Sequence, residues 1–178
     1  MIISVATNSE LTLIRELAYK IWPSTYGEIL SNDQLNYMLD LIYSIDALKK
    51  QINNNHVFLL IKENEKYIGF ASYEINYIEK NEISIHNNLS INKTKIQKLY
   101  VLPEIQGKGI GNFLINYIKK IAIANNNSAI VLNVNKYNKA KDFYLKKGFE
   151  IISTIKIDIG NGYIMDDFIM ELSFWNFI

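Results

Sequence analysis

The 178-residue chain contains no cysteine. Disulfides, thiolate nucleophiles and the usual structural zinc sites are thereby excluded. Histidine is scarce: His56 and His86 are the only two, too few for a multi-histidine centre, so no metal is expected. An excess of one charge is missing as well. Lys and Arg number 19 against 18 Asp and Glu, a formal net charge of +1, which gives no electrostatic basis for nucleic-acid or membrane-surface partners. No apolar run reaches the length of a membrane span. The start, "MIISVATNSELTLI", lacks a basic n-region and is broken by polar residues, unlike a signal peptide. A soluble cytoplasmic protein is expected. Linkers, repeats and low-complexity stretches are also lacking, and a chain that is 49% hydrophobic and 21% charged has globular composition. One domain spanning 1–178 is expected.

What is present alternates between two periods. "IISVA" reads as a strand, and residues 8–21 place Leu11, Ile14, Leu17, Ala18 and Ile21 at helical spacing. "WPSTYGEILS" breaks that period, and a second helical region runs over 31–53. Strands follow at 56–64 and 65–78 around the turn "ENEK", then an asparagine-rich loop over 79–94 and a strand over 95–102. A helix reaches about Ala124. "AIVLNV" is a strand, "KYNKAKDFYLKK" a helix with Gly148 at its left-handed C′ position, and two strands cover 149–158 and 162–172. The order β-α-α-β-β-β-α-β-α-β-β predicts an α/β (α+β) protein with a mixed, mostly antiparallel sheet of six to seven strands flanked by helices.

Only eight glycines occur, yet "LPEIQGKGIGNFLI" places Gly107, Gly109 and Gly111 at alternate positions. Ile110, Phe113, Leu114, Tyr117, Ile118 and Ile121 then recur as a helical stripe. The glycines therefore stand where a strand ends and a helix begins. Such an end carries unpaired N–H groups and a partial positive charge, and it favours phosphate. Missing Cβ atoms let a ligand approach the backbone, with Gln106 at the rim and Lys108 adding a cation. A P-loop needs Ser or Thr after its lysine, and Gly109 follows Lys108. The dinucleotide fingerprint needs a glycine where Asn112 stands. What remains is Q-x-x-G-x-G.

That block, "KLYVLPEIQGKGIGNFLI", resembles the GCN5-related N-acetyltransferases. A second block, "LNVNKYNKAKDFYLKKGFE", is similar to the family's other signature through Asn138, Ala140, Phe143, Tyr144, Gly148 and Phe149. The resemblance implies acetyl-CoA as acetyl donor. Its pyrophosphate would lie on the backbone of Gln106, Gly107, Lys108, Gly109, Ile110 and Gly111, and its pantetheine arm along Leu99, Tyr100 and Val101. Asn138 would contact the CoA chain. Tyr144 would be the acid that protonates or hydrogen-bonds the leaving thiolate, and an N–H of the 99–101 segment would hold the developing oxyanion. With no cysteine to carry the acetyl group, direct attack by a primary amine in a ternary complex is expected.

In some relatives a glutamate on the fourth strand takes the amine's proton; the alignment puts Lys95 there. Glu74, Glu28, Asp33, Asp166 and Asp167 are the remaining carboxylates near the expected acceptor side. Trp22, Tyr26 and Glu28 in "WPSTYGEIL", with Tyr163, Asp166 and Asp167 in the last hairpin, suit a cationic amine. These two segments look similar to those of bacterial polyamine acetyltransferases, so a polyamine-like small molecule is the expected acceptor. Protein N-terminus or lysine acetylation, and a non-catalytic acyl-CoA sensor, are the alternatives. His56 and His86 read as structural and solvated. The apolar tail "SFWNFI" suggests either a core cover or a homodimer contact.

Overall fold

The computed structural model describes residues 1–78 and 92–174. His86, most of the asparagine-rich loop and the last four residues of the tail, with the dimer contact expected of them, lie outside the described residues.

Seven strands form one sheet: β1 (Ile2–Val5), β2 (Val57–Glu63), β3 (Lys66–Tyr77), β4 (Lys93–Val101), β5 (Ala129–Asn135), β6 (Glu150–Gly160) and β7 (Tyr163–Ser173), in spatial order β1-β2-β3-β4-β5-β7-β6. Every neighbouring pair is antiparallel except β4–β5. The helices are α1 (Leu11–Tyr26), α2 (Asn32–Tyr43), α3 (Ile45–Asn53), α4 (Ile110–Ala124) and α5 (Ala140–Lys146). None of them is long and apolar enough to cross a membrane.

The apolar alternation of the strands explains the layering. Successive strand residues face opposite sides. In β2, Phe58 and Leu60 pack with α1, α2 and α3 through Ile14, Leu17, Met38, Leu39 and Leu48. Leu59 and Ile61 pack on the other face with Leu114, Ile118 and Ala122 of α4. Burying a side chain of this size stabilises the fold by roughly 1.5–3 kcal/mol, so a strand apolar on both faces belongs in the middle of a three-layer molecule.

Helix boundaries depart from the periodicity in three places. α1 does not stop before Pro23 but continues to Tyr26. Proline removes a helical N–H, and the turn around it is held by Ser24 and Thr25, whose hydroxyls both donate to the Ile21 carbonyl at 2.8 and 3.1 Å. The single helix expected over 31–53 is two. Ser44 leaves helical geometry at ψ 149°, donates its N–H to the Asp40 carbonyl, and accepts from Ala47 N through its side chain. It ends one helix and caps the next. α5 begins only at Ala140, whose N–H is taken by Asn138 Oδ1 at 2.8 Å.

The sheet parts between β4 and β5. β4 and β5 pair only from Lys93–Ala129 to Ile96–Leu132, although both strands continue. Gln97 forms a bulge in β4 where its register to β3 slips, and bulges bend the strand that carries them. The paired end is pinned by the buried Asn127, which accepts from Thr94 Oγ1 at 2.8 Å and Asn76 N at 3.1 Å and donates to Asn76 Oδ1 at 2.7 Å. Beyond Gln97 the two strands splay, and a gap opens through the sheet.

Candidate functional site

Two cavities meet at that gap. The larger, about 860 Å³, runs on the α4/α5 side between β4 (Ile96–Val101) and β5 (Leu132–Val134), and ends at the loop before α4. The smaller, about 400 Å³, lies on the other face under α1, α2 and the β6–β7 hairpin. Tyr26, Ile96, Gln97, Lys98, Tyr100 and Asn133 line both.

The glycine stretch divides its work. Gly107 and Gly109 sit at φ +80° and +82°, and a Cβ built on either meets nothing within 4 Å. This left-handed backbone favours glycine, and the space beside it is open. Gly111 is inside α4; a Cβ there would lie 3.0 Å from Phe143 Cζ, so its role is to let α4 pack against α5. Gln106 braces the loop by donating Nε2 to the Val101 carbonyl at 3.0 Å. Lys108 is exposed and does not line the cavity.

The N–H groups of residues 107 to 112 find no acceptor among the described residues; the first amide downstream to do so is Phe113 N, in the first turn of α4, which donates to Gly109 O. Consecutive unpartnered amides at a helix N-terminus make an anion cradle. From it the cavity follows β4 residues 97–101, whose edge toward β5 has no strand partner, and reaches Tyr144.

Tyr144 is held by its neighbours. α5 ends in a left-handed turn at Gly148, φ +86°, with Phe149 N donating to the Tyr144 carbonyl and Gly148 N to the Leu145 carbonyl. This double bond pattern fixes the turn. The Tyr144 ring packs on Phe143 and Phe149 at 5.3 and 5.4 Å, and its hydroxyl has no hydrogen bond among the described residues. Burial first, and Tyr26 second, push its phenol well above the ordinary tyrosine value, so it is protonated at neutral pH. Asn138, buried, lines the same cavity.

Around the smaller cavity the candidates separate. Trp22 and Tyr26 line it; Tyr26 and Tyr100 share a hydroxyl–hydroxyl bond of 3.0 Å. Glu28 instead lies on the larger cavity, exposed, 3.3 Å from Lys139. Glu74 does not line the smaller cavity, but its carboxylate is 3.3 Å from Gln97 Nε2 and 3.9 Å from His56 Nε2, and both of those residues do. Asp166 faces the α4/α5 side and pairs with Lys136. Its neighbour Asp167, necessarily on the opposite face, is the only carboxylate of the described residues lining the smaller cavity. Burial, then Asp166, raise Asp167 to about 6 against the pull of Lys95 and Lys136. Asp33 lines neither cavity, and Tyr163 stacks on Tyr37, which ties the hairpin to α2 through the Ile159 carbonyl.

Sequence reasoning passed over Lys98 and Asn133. Lys98 is 9% exposed and donates to Gln51 Oε1; burial lowers it to about 8. The buried Oδ1 of Asn133 has no partner among the described residues. Both were polar interruptions of apolar strands, "KIQKLYV" and "AIVLNVN", a pattern that in a buried strand points to a site.

Comparison with known proteins agrees with this geometry. The profile of the acetyltransferase (GNAT) family matches residues 12–149. An uncharacterised N-acetyltransferase of Methanocaldococcus jannaschii is 31% identical over 103 residues, 56% of this chain and 41% of that relative, so the match spans under half of the relative's length. The spermidine N(1)-acetyltransferase of Thermoplasma acidophilum is 27% identical over 163 residues, 88% of this chain and 90% of the relative. The crystal structure of the PaiA N-acetyltransferase from Thermoplasma acidophilum in complex with coenzyme A superposes with a TM-score of 0.72 at 26% identity, covering 98% of this chain and all of the other.

Proposed function

Since the chain belongs to the acetyltransferase (GNAT) family, we propose that it transfers the acetyl group of acetyl-CoA to the primary amine of a small molecule, by direct attack across the gap between β4 and β5. The observation that carries this reading is the run of unpartnered N–H groups over 107–112, at one end of a cavity that leads to the protonated Tyr144.

The residues fit a coenzyme A. The open, Cβ-free turn at Gly107 and Gly109 admits a pyrophosphate onto the amides. The unpaired edge of residues 97–101 can hydrogen-bond the amide-bearing pantetheine arm as a strand would. Lys146 and Lys147 line the same cavity and supply positive charge for its phosphates. The coenzyme supplies the activated acetyl group; the chain holds and orients it. The amine nitrogen bonds to the carbonyl carbon as the carbon–sulfur bond breaks. Tyr144, which lines the same cavity, is the group that would meet the sulfur. A phenol raised above 10 is a weaker acid than a thiol near 8.5, so Tyr144 acts by donating a strong hydrogen bond to the thiolate. The bound ammonium gives up two protons: one before attack, which frees the nitrogen lone pair, and one after the new bond forms, which ends on the thiolate. Asp167, raised to about 6 and lining the smaller cavity, is the carboxylate suited to receive the first.

The likeness to a spermidine acetyltransferase supports a small amine over a protein substrate, as does an acceptor cavity of about 400 Å³, at the lower end of the roughly 300–1,000 Å³ usual for small-molecule sites. A thiol-release assay with acetyl-CoA and an amine panel tests the proposal. Turnover with at least one small amine is expected; calorimetric binding of acetyl-CoA without release of thiol for any amine would instead identify an acyl-CoA sensor.

A further inference from the structure

The smaller cavity is polar in a patterned way that acetyl transfer alone does not explain. On its β4 side stands a cation, Lys98, beside the Trp22 and Tyr43 rings, which lie 5.4 Å apart with their polar atoms fully buried. Lys98 Nζ sits 5.8 Å from the Tyr43 ring. An ammonium has three donors; Gln51 takes one, and no carboxylate of the described residues pairs with Lys98. On the β7 side stands the carboxylate of Asp167. Asn133 is at the gap itself, since it lines both cavities.

Among the described residues the charges lining this cavity are Lys95, Lys98 and Asp167, with His56 kept neutral by burial and by the two lysines, its value lowered to about 4. Two cations against one anion repel a polycation. A buried ammonium without a counter-ion is costly to desolvate, and a ligand anion offsets that cost. The remaining wall is largely apolar, through Leu30, Met38, Ile42 and Met165, with the side-chain amides of Gln34, Gln97 and Asn135 among them.

We infer that the acceptor is an amino acid with an apolar side chain: its carboxylate is held by Lys98, and its amine by Asp167 on the opposite wall. This rests on the acetyl-transfer reading and narrows its substrate class. The bipolar pocket fixes which end of the molecule faces the thioester, which a pocket of one sign does not. It also excludes a peptide N-terminus, which has no carboxylate beside its amine.

Thiol release at saturating acetyl-CoA tests the inference, with each apolar amino acid run beside its decarboxylated amine and beside spermidine. The expected result is a kcat/KM for at least one amino acid about tenfold or more above that of its decarboxylated amine and of spermidine, the usual scale for a buried charge-assisted contact. In Lys98→Met that preference should shrink to about twofold or less, with acetyl-CoA binding by calorimetry reporting that the variant is folded. The wild-type ratio decides the matter if the variant does not fold. Preference for spermidine or for the decarboxylated amines overturns the inference and leaves acetyl transfer standing. Release with none of them overturns both.

Discussion

The two cavities that meet at the β4–β5 gap are made of different material. The larger offers backbone: six successive amide N–H groups, two left-handed glycines and the unpaired edge of a strand. The smaller offers side chains, gathered from α1, α2, α3, β4, β5, β6 and β7. Backbone recognition tolerates change in the side chains around it, whereas a side-chain pocket is redefined by each substitution. One cavity is therefore suited to a constant donor and the other to a particular acceptor.

The sharpest way to break the comparison is at Gly109. Valine there must hold φ near +82°, at a cost of about 1–2 kcal/mol for a left-handed non-glycine residue, and its branches fill the open turn. The dissociation constant for acetyl-CoA should rise by roughly 100-fold or more when strain and lost amide contacts combine, as calorimetry would read. Next is Tyr144→Phe, which removes only the hydroxyl. Its kcat should fall by about 30–100-fold, or about 2–3 kcal/mol of a hydrogen bond to a charged group, while acetyl-CoA affinity stays within about twofold. Equal rates for the two proteins would remove Tyr144 from the chemistry.

Asp167 probes the other cavity. Its carboxyl is raised in the fold, so the native state holds this proton more tightly than the unfolded chain does. Its contribution therefore favours folding at low pH and is lost as pH climbs from about 4 through about 6. Asp167→Asn should accordingly raise thermal stability at pH 7.5, by up to about 2 kcal/mol, yet lower kcat/KM about tenfold. It should also flatten the acidic limb of the pH–rate profile near pH 6. A limb that persists in the variant belongs to another group. The smallest effect is expected at Gly111→Ala. The new methyl group presses on Phe143 at 3.0 Å, while alanine gains up to about 1 kcal/mol of helix propensity. The two offset, and acetyl-CoA affinity should change by less than about threefold, in contrast to Gly109→Val.

This same division decides what could be read from the sequence. A backbone site is contiguous. It needs glycine where φ is positive and a helical stripe directly after, so "QGKGIGNFLI" displays it in one line, and Gly148 marks the end of α5 for the same reason. The element order and the two apolar faces of β2 were legible because alternation is local. The side-chain cavity was not. Asp166 and Asp167 are equivalent in sequence, and only the register of β7, with Phe168 and Met170 on the α4 face, turns Asp167 toward the acceptor side. Lys98 is an interruption whose meaning depends on the bulge at Gln97 and on Gln51 arriving from α3. The gap itself is invisible, because β4 and β5 each keep strand composition past the point where they part. Pro23 misled because hydroxyls three and four residues after Ile21 hold the turn together.

The most direct test is a crystal structure of the protein with acetyl-CoA. At least three nitrogens among residues 107–112 should lie within about 2.7–3.2 Å of pyrophosphate oxygens, with the sulfur beside the Tyr144 hydroxyl and the acetyl group in the gap between β4 and β5. A coenzyme bound elsewhere, or a loop whose amides have turned to the protein's own carbonyls, would contradict the account.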